Sequence, residues 1–335
     1  MATLRTQQME GLLCALAGAI AFSGKAIVAK LIYRMGGDAI AVVGMRMALA
    51  LPFFLVMAWW AQRGREAEPL GRSVQWQVVG LGVTGYYLAS TLDFLGLQYI
   101  SANLERAILY LNPTMVLVLS AFWFRRPIAL MQLLALAVAY AGVSVVWWHD
   151  WNTTPMVSDQ VQSQMGVDPS HALAVGSLLV LGSALSYAVY LMGSGALVQR
   201  HGSLWLVGRA SSVACVLCIA QWGLVYLATS GEVGRVSQLG WQAWALSAVN
   251  AVFCTALPVW LVMRGVQLLG AASAAQVGMV GPLSTIWMAA WTLGEPITPR
   301  LLLGTGTIVL GILLLTRVTV ATQAPKPANN QARRA

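Results

Sequence analysis

The sequence predicts an all-α membrane protein of ten transmembrane helices, arranged as two inverted five-helix repeats. Three observations carry that prediction. Hydrophobic residues make up 58% of the chain and charged residues 9%, against roughly 45–50% and ~25% in soluble domains. Ten stretches are apolar for about the 20 residues needed to cross ~30 Å of hydrocarbon. Finally, the segment GLQYISANLERAILYLNPTMVLVLSAFWFRRP, Gly96 to Pro127, has an echo in GVQLLGAASAAQVGMVGPLSTIWMAAWTLGEP, Gly265 to Pro296.

The echo keeps one constant offset. Gly96 falls on Gly265, Gln98 on Gln267, Ala102 on Ala271 and Pro113 on Pro282. Ala121 falls on Ala290, Pro127-Ile128 on Pro296-Ile297, Leu133-Leu134 on Leu302-Leu303 and Gly142 on Gly311. Apolar segments share single residues by chance, but prolines and glycines at matched gaps mark an internal repeat. The expected organisation is a first module at 1–148, an external loop at 149–171, a second module at 172–318 and a disordered tail at 319–335. The tail is polar, proline-bearing and basic.

In chain order the spans are 10–33, 39–61, 75–98, 102–123 and 128–148, then 172–197, 204–228, 241–263, 270–293 and 298–317. Span 1 is too long for a signal-peptide core and has no small-residue cleavage site, so it is expected to be retained. It carries Lys25, and also Lys30, which is close enough to the outer end to snorkel. Span 2 carries Arg46. Span 3 carries Tyr86, Tyr87 and Asp93, and span 4 carries Glu105, Arg106, Tyr110 and Pro113. Spans 6 and 7 bring Tyr187, Tyr190 and Arg209, and spans 8 and 9 bring Trp260 and Pro282. Trp59, Trp60, Trp147, Trp148 and Trp241 sit at span ends and read as interfacial anchors.

With the N-terminus inside, twelve Lys and Arg fall in cytoplasmic segments and three, Arg34, Arg235 and Arg300, outside. The loop from His149 to His171 has none. This is the positive-inside pattern, and it places both termini in the cytoplasm. The net charge of +9 is therefore read as topology and attraction to anionic lipid, and nucleic acid is not expected as a partner. Because each module has five spans, the second starts on the opposite side of the membrane and is inverted. Inverted repeats supply the two similar-energy states of alternating access.

Charges at membrane depth are costly and mark function or pairing. Spans 3 and 4 form an antiparallel hairpin that turns near Ile100, which puts Asp93 and Arg106 at nearly equal depth at ~1.5 Å per residue. A pair between them is expected, either structural or opened by substrate or a proton. Lys25, Arg46, Tyr86, Asp93, Glu105, Arg106, Tyr110, Tyr187 and Trp260 are the candidate substrate-binding residues. Arg46 and Arg209, read as matched arginines at opposite mouths, are candidate gates with the kink-forming Pro113 and Pro282. Glu105 also suits the helix dipole and is an alternative proton carrier to Asp93. Cys215-x-x-Cys218 has no second pair or nearby His and reads as packing. His149, His171 and His201 fall in loops, no metal cluster or catalytic set is evident, and no cofactor is implied.

Ten spans, two inverted modules and a Gly-x-x-x-x-x-Ala…Pro…(Glu/Arg)-Pro…Gly pattern closing each module resemble the drug/metabolite transporter (DMT) superfamily, specifically its EamA-type members. The pieces most like the family are GEPITPRLLLGTGTIVLGILLL at 294–315 and GLLCALAGAIAFSGKAIVAK from Gly11 to Lys30. Arg126 stands where the second module has Glu295, which suits a loop-structuring role for that glutamate. The resemblance implies a central cavity formed by spans 1, 3, 4, 6, 8 and 9, and movement of amino acids, other metabolites or drugs, commonly outward.

The expectation is a secondary transporter, not an enzyme, in a bacterial-type inner membrane, acting as a monomer or homodimer. Its substrate would be a small polar metabolite of the amino acid or organic acid class. Export is expected, with coupling to protons or to exchange. The alternatives are uptake or exchange of a larger solute, such as a nucleotide derivative or vitamin, and a lipid-carrier flippase. The echo breaks at Asn103-Leu104-Glu105-Arg106, which faces Ala272-Ser273-Ala274-Ala275, so chemistry is expected there.

Overall fold

The computed structural model describes residues 2–63, 71–125, 128–153, 169–269, 277–278 and 280–323. Long apolar helices dominate. Span 1 is Ala2–Arg34, span 2 Ala39–Gln62, span 5 Leu130–Thr153, span 6 Pro169–His201, span 7 Ser203–Ala228 and span 10 Pro299–Gln323. Three spans are interrupted. Span 3 runs as Arg72–Gly82, a π-helical turn Val83–Leu88 and Ala89–Leu97. Span 4 breaks into Ala102–Leu109 and Asn112–Phe124. Span 8 runs as Trp241–Ala251, a π-helical turn Val252–Ala256 and Leu257–Leu269. The second half of span 9 is Gly281–Leu293, and most of its first half lies outside the described residues. So do Arg126, Pro127 and the segment opposite Asn103–Arg106.

The internal repeat extends to helix ends. At the same offset that relates Gly96 to Gly265, Arg72–Gly82 falls on Trp241–Ala251, and both π turns begin together, at Val83 and Val252. Asn112–Phe124 falls on Gly281–Leu293, each with its proline in the first turn. Both end in a left-handed residue, Arg125 at φ 51° and Gly294 at φ 72°. Proline lacks an N–H and pre-sets φ, so it suits the first turn of a helix, where the donor would be unpaired anyway. The expected kinks at Pro113 and Pro282 are therefore helix starts, and in span 4 the chain leaves the helix just before, at Tyr110-Leu111.

Span 2 packs on span 7, span 5 on span 10, span 1 on span 8 and span 3 on span 6. Exchanging the two repeats maps this set onto itself. The echoed glycines sit at these crossings. A Cβ on Gly96 would lie 2.7 Å from the Gly176 carbonyl oxygen, and one on Gly142 would lie 2.7 Å from the Gly304 carbonyl oxygen. In a membrane, helices associate largely through such close backbone approach. The shared glycines of the two modules are thus at the crossings between them.

The helices outrun two sequence boundaries. Span 5 continues to Thr153, so His149 is a buried helical residue rather than a loop residue, and His201 ends the helix of span 6. Span 10 continues through Gln323, beyond the expected start of the tail. Polar residues persist in helix where the backbone ladder is already propagating. Cys215 and Cys218 are buried in the apolar core, with Cys215 Sγ 3.6 Å from Met47 Sδ.

Candidate functional site

Span 1 brings Lys25 to the two carboxylates of the span 3–4 hairpin. Its Nζ lies 2.5 Å from Asp93 Oδ2 and 3.4 Å from Glu105 Oε1. Asp93 and Glu105 are buried, and Lys25 is 13% exposed. The expected Asp93–Arg106 pair is not what the structure holds. Arg106 donates through Nη2 to the Phe22 carbonyl at 2.9 Å, and its Nε stands 4.0 Å from Glu105 Oε2. Residue counting along the hairpin ignores azimuth, and span 1 supplies a lysine on the facing side. Asp93 Oδ1, both Glu105 oxygens and Arg106 Nε are buried with no hydrogen-bond partner among the described residues. Acceptors and a donor are thus left over in one group. Asn250 on span 8 donates Nδ2 to the Lys25 carbonyl at 3.2 Å, which ties the second repeat to the same level.

Arg46 on span 2 is buried beside this group, its guanidinium 4.4 Å over the Phe94 ring. Lys25 Nζ approaches the same ring at 5.7 Å. The constant offset pairs Arg46 with Cys215 and Arg209 with Ile40, so the two arginines are not symmetry mates. The similar tripeptides around them occupy different positions of the repeat. Arg209 is half-buried and lies 4.8 Å over the Trp205 ring.

A tyrosine group forms between spans 3 and 6. Tyr86 meets Tyr190 edge-on at 5.2 Å, Tyr187 stacks on Tyr190 at 5.5 Å, and the Tyr86 and Tyr190 hydroxyls are 3.4 Å apart. Gly85 makes this possible, because a Cβ there would strike the Tyr190 ring. The carbonyls loosened by the π turn are taken by span 6. Ser186 donates to the Thr84 carbonyl and Ser183 to that of Ala89, each at 2.7 Å. In lipid an unsatisfied carbonyl is costly, so these serines permit the wide turn.

Tyr110, at the break in span 4, donates to the Gly278 carbonyl at 2.8 Å. Ser23 donates to the Gly281 carbonyl at 2.9 Å and accepts from Ser284 Oγ at 2.8 Å. The break in span 4 and the start of the Gly281–Leu293 helix in span 9 are therefore each tied to the other repeat. Trp260 is 42% exposed and lies about 9 Å along span 8, at 1.5 Å per residue, from Cys254, the residue that touches Gly24. The structure does not gather it with the charges.

Glu295 has a structural place. Its Oε1 accepts from Ala102 N at 3.2 Å and its Oε2 from Asn103 Nδ2 at 2.7 Å. Asp150 accepts from Ser101 N at 3.2 Å, and Ser101 Oγ accepts from Leu104 N at 3.0 Å. Three side chains thus serve the N-terminus of span 4, whose positive end favours carboxylates. Reading span by span missed this clamp and the Ser23–Ser284 bridge. The visible signal for the clamp was Ser101 before Ala102–Leu109 with Glu105 near its start; the cross-repeat partners left no local trace.

Residues 9–148 and 174–317 match the model of the EamA-like transporter family. The chain is 29% identical over 285 residues to a Bacillus subtilis (strain 168) protein described as "Uncharacterized transporter YcbK", covering 85% of this chain and 86% of that one. It is 30% identical over 253 residues to "Uncharacterized transporter YvbV" of the same organism, covering 73% and 72%. An "Uncharacterized transporter" of Archaeoglobus fulgidus is 22% identical over 283 residues, covering 83% and 88%. One solved crystal structure superposes with a TM-score of 0.56 at 16% identity, over 94% of this chain and 99% of the other; this likeness concerns the fold.

Proposed function

Because the chain belongs to the EamA-like transporter family, we propose that it is a secondary transporter of a small polar metabolite bearing a carboxylate, an amino acid or organic acid. Transport proceeds by alternating access in the direction of export across an inner membrane, with both termini cytoplasmic. The observation that carries this reading is the buried Lys25–Asp93–Glu105–Arg106 group and its unpartnered atoms of both signs. Carboxylate oxygens left over suit an ammonium group, and a guanidinium N–H left over suits a carboxylate. A zwitterion satisfies both at once. Asp93 and Glu105 are the candidate proton carriers, and the duplicated helix breaks and π turns support motion of equivalent elements in both repeats.

The experiment is solute flux in vesicles reconstituted with the purified protein. Labelled amino acids and organic acids are offered with and without an imposed pH gradient, in both orientations of that gradient. Saturable movement of at least one of these solutes is expected, and its loss in Asp93→Asn. No flux for any of them under any gradient would refute the proposal.

A further inference from the structure

Arg46 stands outside the ion pairs just described. It is 2% exposed, and its Nε and Nη2 have no hydrogen-bond partner among the described residues. These two atoms form one edge of the guanidinium fork, the edge that takes a carboxylate side-on through two parallel hydrogen bonds. The guanidinium lies over the Phe94 ring. The titratable groups that face it are Asp93, Tyr33, Cys215, Cys218 and Cys254. Asp93 is engaged by Lys25, and the Tyr33 hydroxyl is donated to the Phe94 carbonyl.

The formal charges leave an excess on this residue. Lys25, Arg46 and Arg106 face Asp93 and Glu105, and every ion pair among them omits Arg46. A lone charge at membrane depth is costly, and this one is too deep in the packing to snorkel. We propose that Arg46 anchors an anion site between spans 2, 3 and 7, its Nε–Nη2 edge receiving one negative group. That group is a second carboxylate of the transported solute, distinct from the one offered to Arg106, or a small inorganic anion such as chloride. Both nitrogen atoms are closed to solvent, so entry of the anion is linked to rearrangement of the spans, and the anion favours the conformer that exposes the edge. The inference deepens the carrier reading and rests on it only for the source of the carboxylate.

Thermal unfolding of the purified full-length protein tests the site without transport. Potassium acetate or potassium chloride replaces potassium 2-(N-morpholino)ethanesulfonate, a bulky reference anion, at constant ionic strength. A saturable rise in Tm of about 2 °C or more is expected for a bound ligand well above its Kd. The rise should vanish in Arg46→Gln, shrink in Arg46→Lys and persist in Arg264→Gln, whose exposed side chain pairs with Glu10. A response to acetate alone assigns the site to a solute carboxylate, and a response to chloride assigns it to an inorganic anion. A flat response of the native protein to both salts, or an undiminished one in Arg46→Gln, overturns the proposal. If Arg46→Gln does not fold, Arg46→Lys carries the test, and an undiminished shift in it overturns the proposal equally. Absent metabolite flux with the shift intact would count against the carrier reading alone.

Discussion

Lys25 Nζ and Asp93 Oδ2 are 2.5 Å apart, joining span 1 to span 3 with the carboxylate buried and the ammonium only 13% exposed. Breaking one side of a buried pair strands the other charge at about 3–5 kcal/mol. Lys25→Gln and Asp93→Asn should therefore each lower thermal stability and abolish flux. The exchange Lys25→Asp with Asp93→Lys should recover stability in part, whereas Asp93→Arg with Arg106→Asp should not. Recovery by the second exchange and not by the first would contradict the contact.

Glu105 is held by Lys25, yet neither of its oxygens has a hydrogen-bond partner among the described residues. If it carries the coupled proton, Glu105→Gln uncouples transport from an imposed pH gradient while solute exchange continues at equal pH. The comparison is gradient-driven accumulation against counterflow in the same vesicles. Equal loss of both assigns Glu105 to binding instead.

Removing Glu295 leaves Ala102 N and Asn103 Nδ2 without their acceptors. Each buried donor left unmade costs about 1–3 kcal/mol. Glu295→Ala should therefore lower the Tm by several degrees, with Glu295→Gln losing less because it keeps an acceptor. Differential scanning fluorimetry in detergent reads both.

Gly142 and Gly304 oppose each other across spans 5 and 10. Gly142→Val forces the backbones apart and should sharply reduce the yield of folded protein. Gly306→Ala, where a Cβ meets nothing within 4 Å, should leave the yield unchanged. Size-exclusion profiles of membrane extracts distinguish the two.

The architecture was legible because apolar length and a proline–glycine echo are linear signals. The positions of Gly96, Pro113 and Gly142 within the echo marked helix crossings and breaks that the structure contains. The partner of Asp93 was not legible. Depth along the membrane follows from residue counting, but which of Lys25 and Arg106 faces the carboxylate depends on how span 1 rotates against the hairpin. The π turns were invisible for a related reason: GVTGYYL reads like any apolar helical stretch, and the serines that stabilise its wide turn lie on span 6. Trp260 illustrates the same limit, since a polar aromatic at mid-span can face either way.

The wide turns also change how spans 3 and 8 can be scanned. In a regular helix residues seven apart return to nearly the same face, within about 20°. Tyr86 and Asp93 are seven apart, yet the first meets Tyr190 on span 6 and the second meets Lys25 on span 1. A π turn takes up one residue more than an α turn, which slips the phase of everything beyond it. Accessibility or cross-linking patterns read along span 3 should therefore keep a 3.6-residue rhythm up to Gly82 and resume it from Ala89 one residue out of step. The same stutter should recur in span 8, at Val252–Ala256.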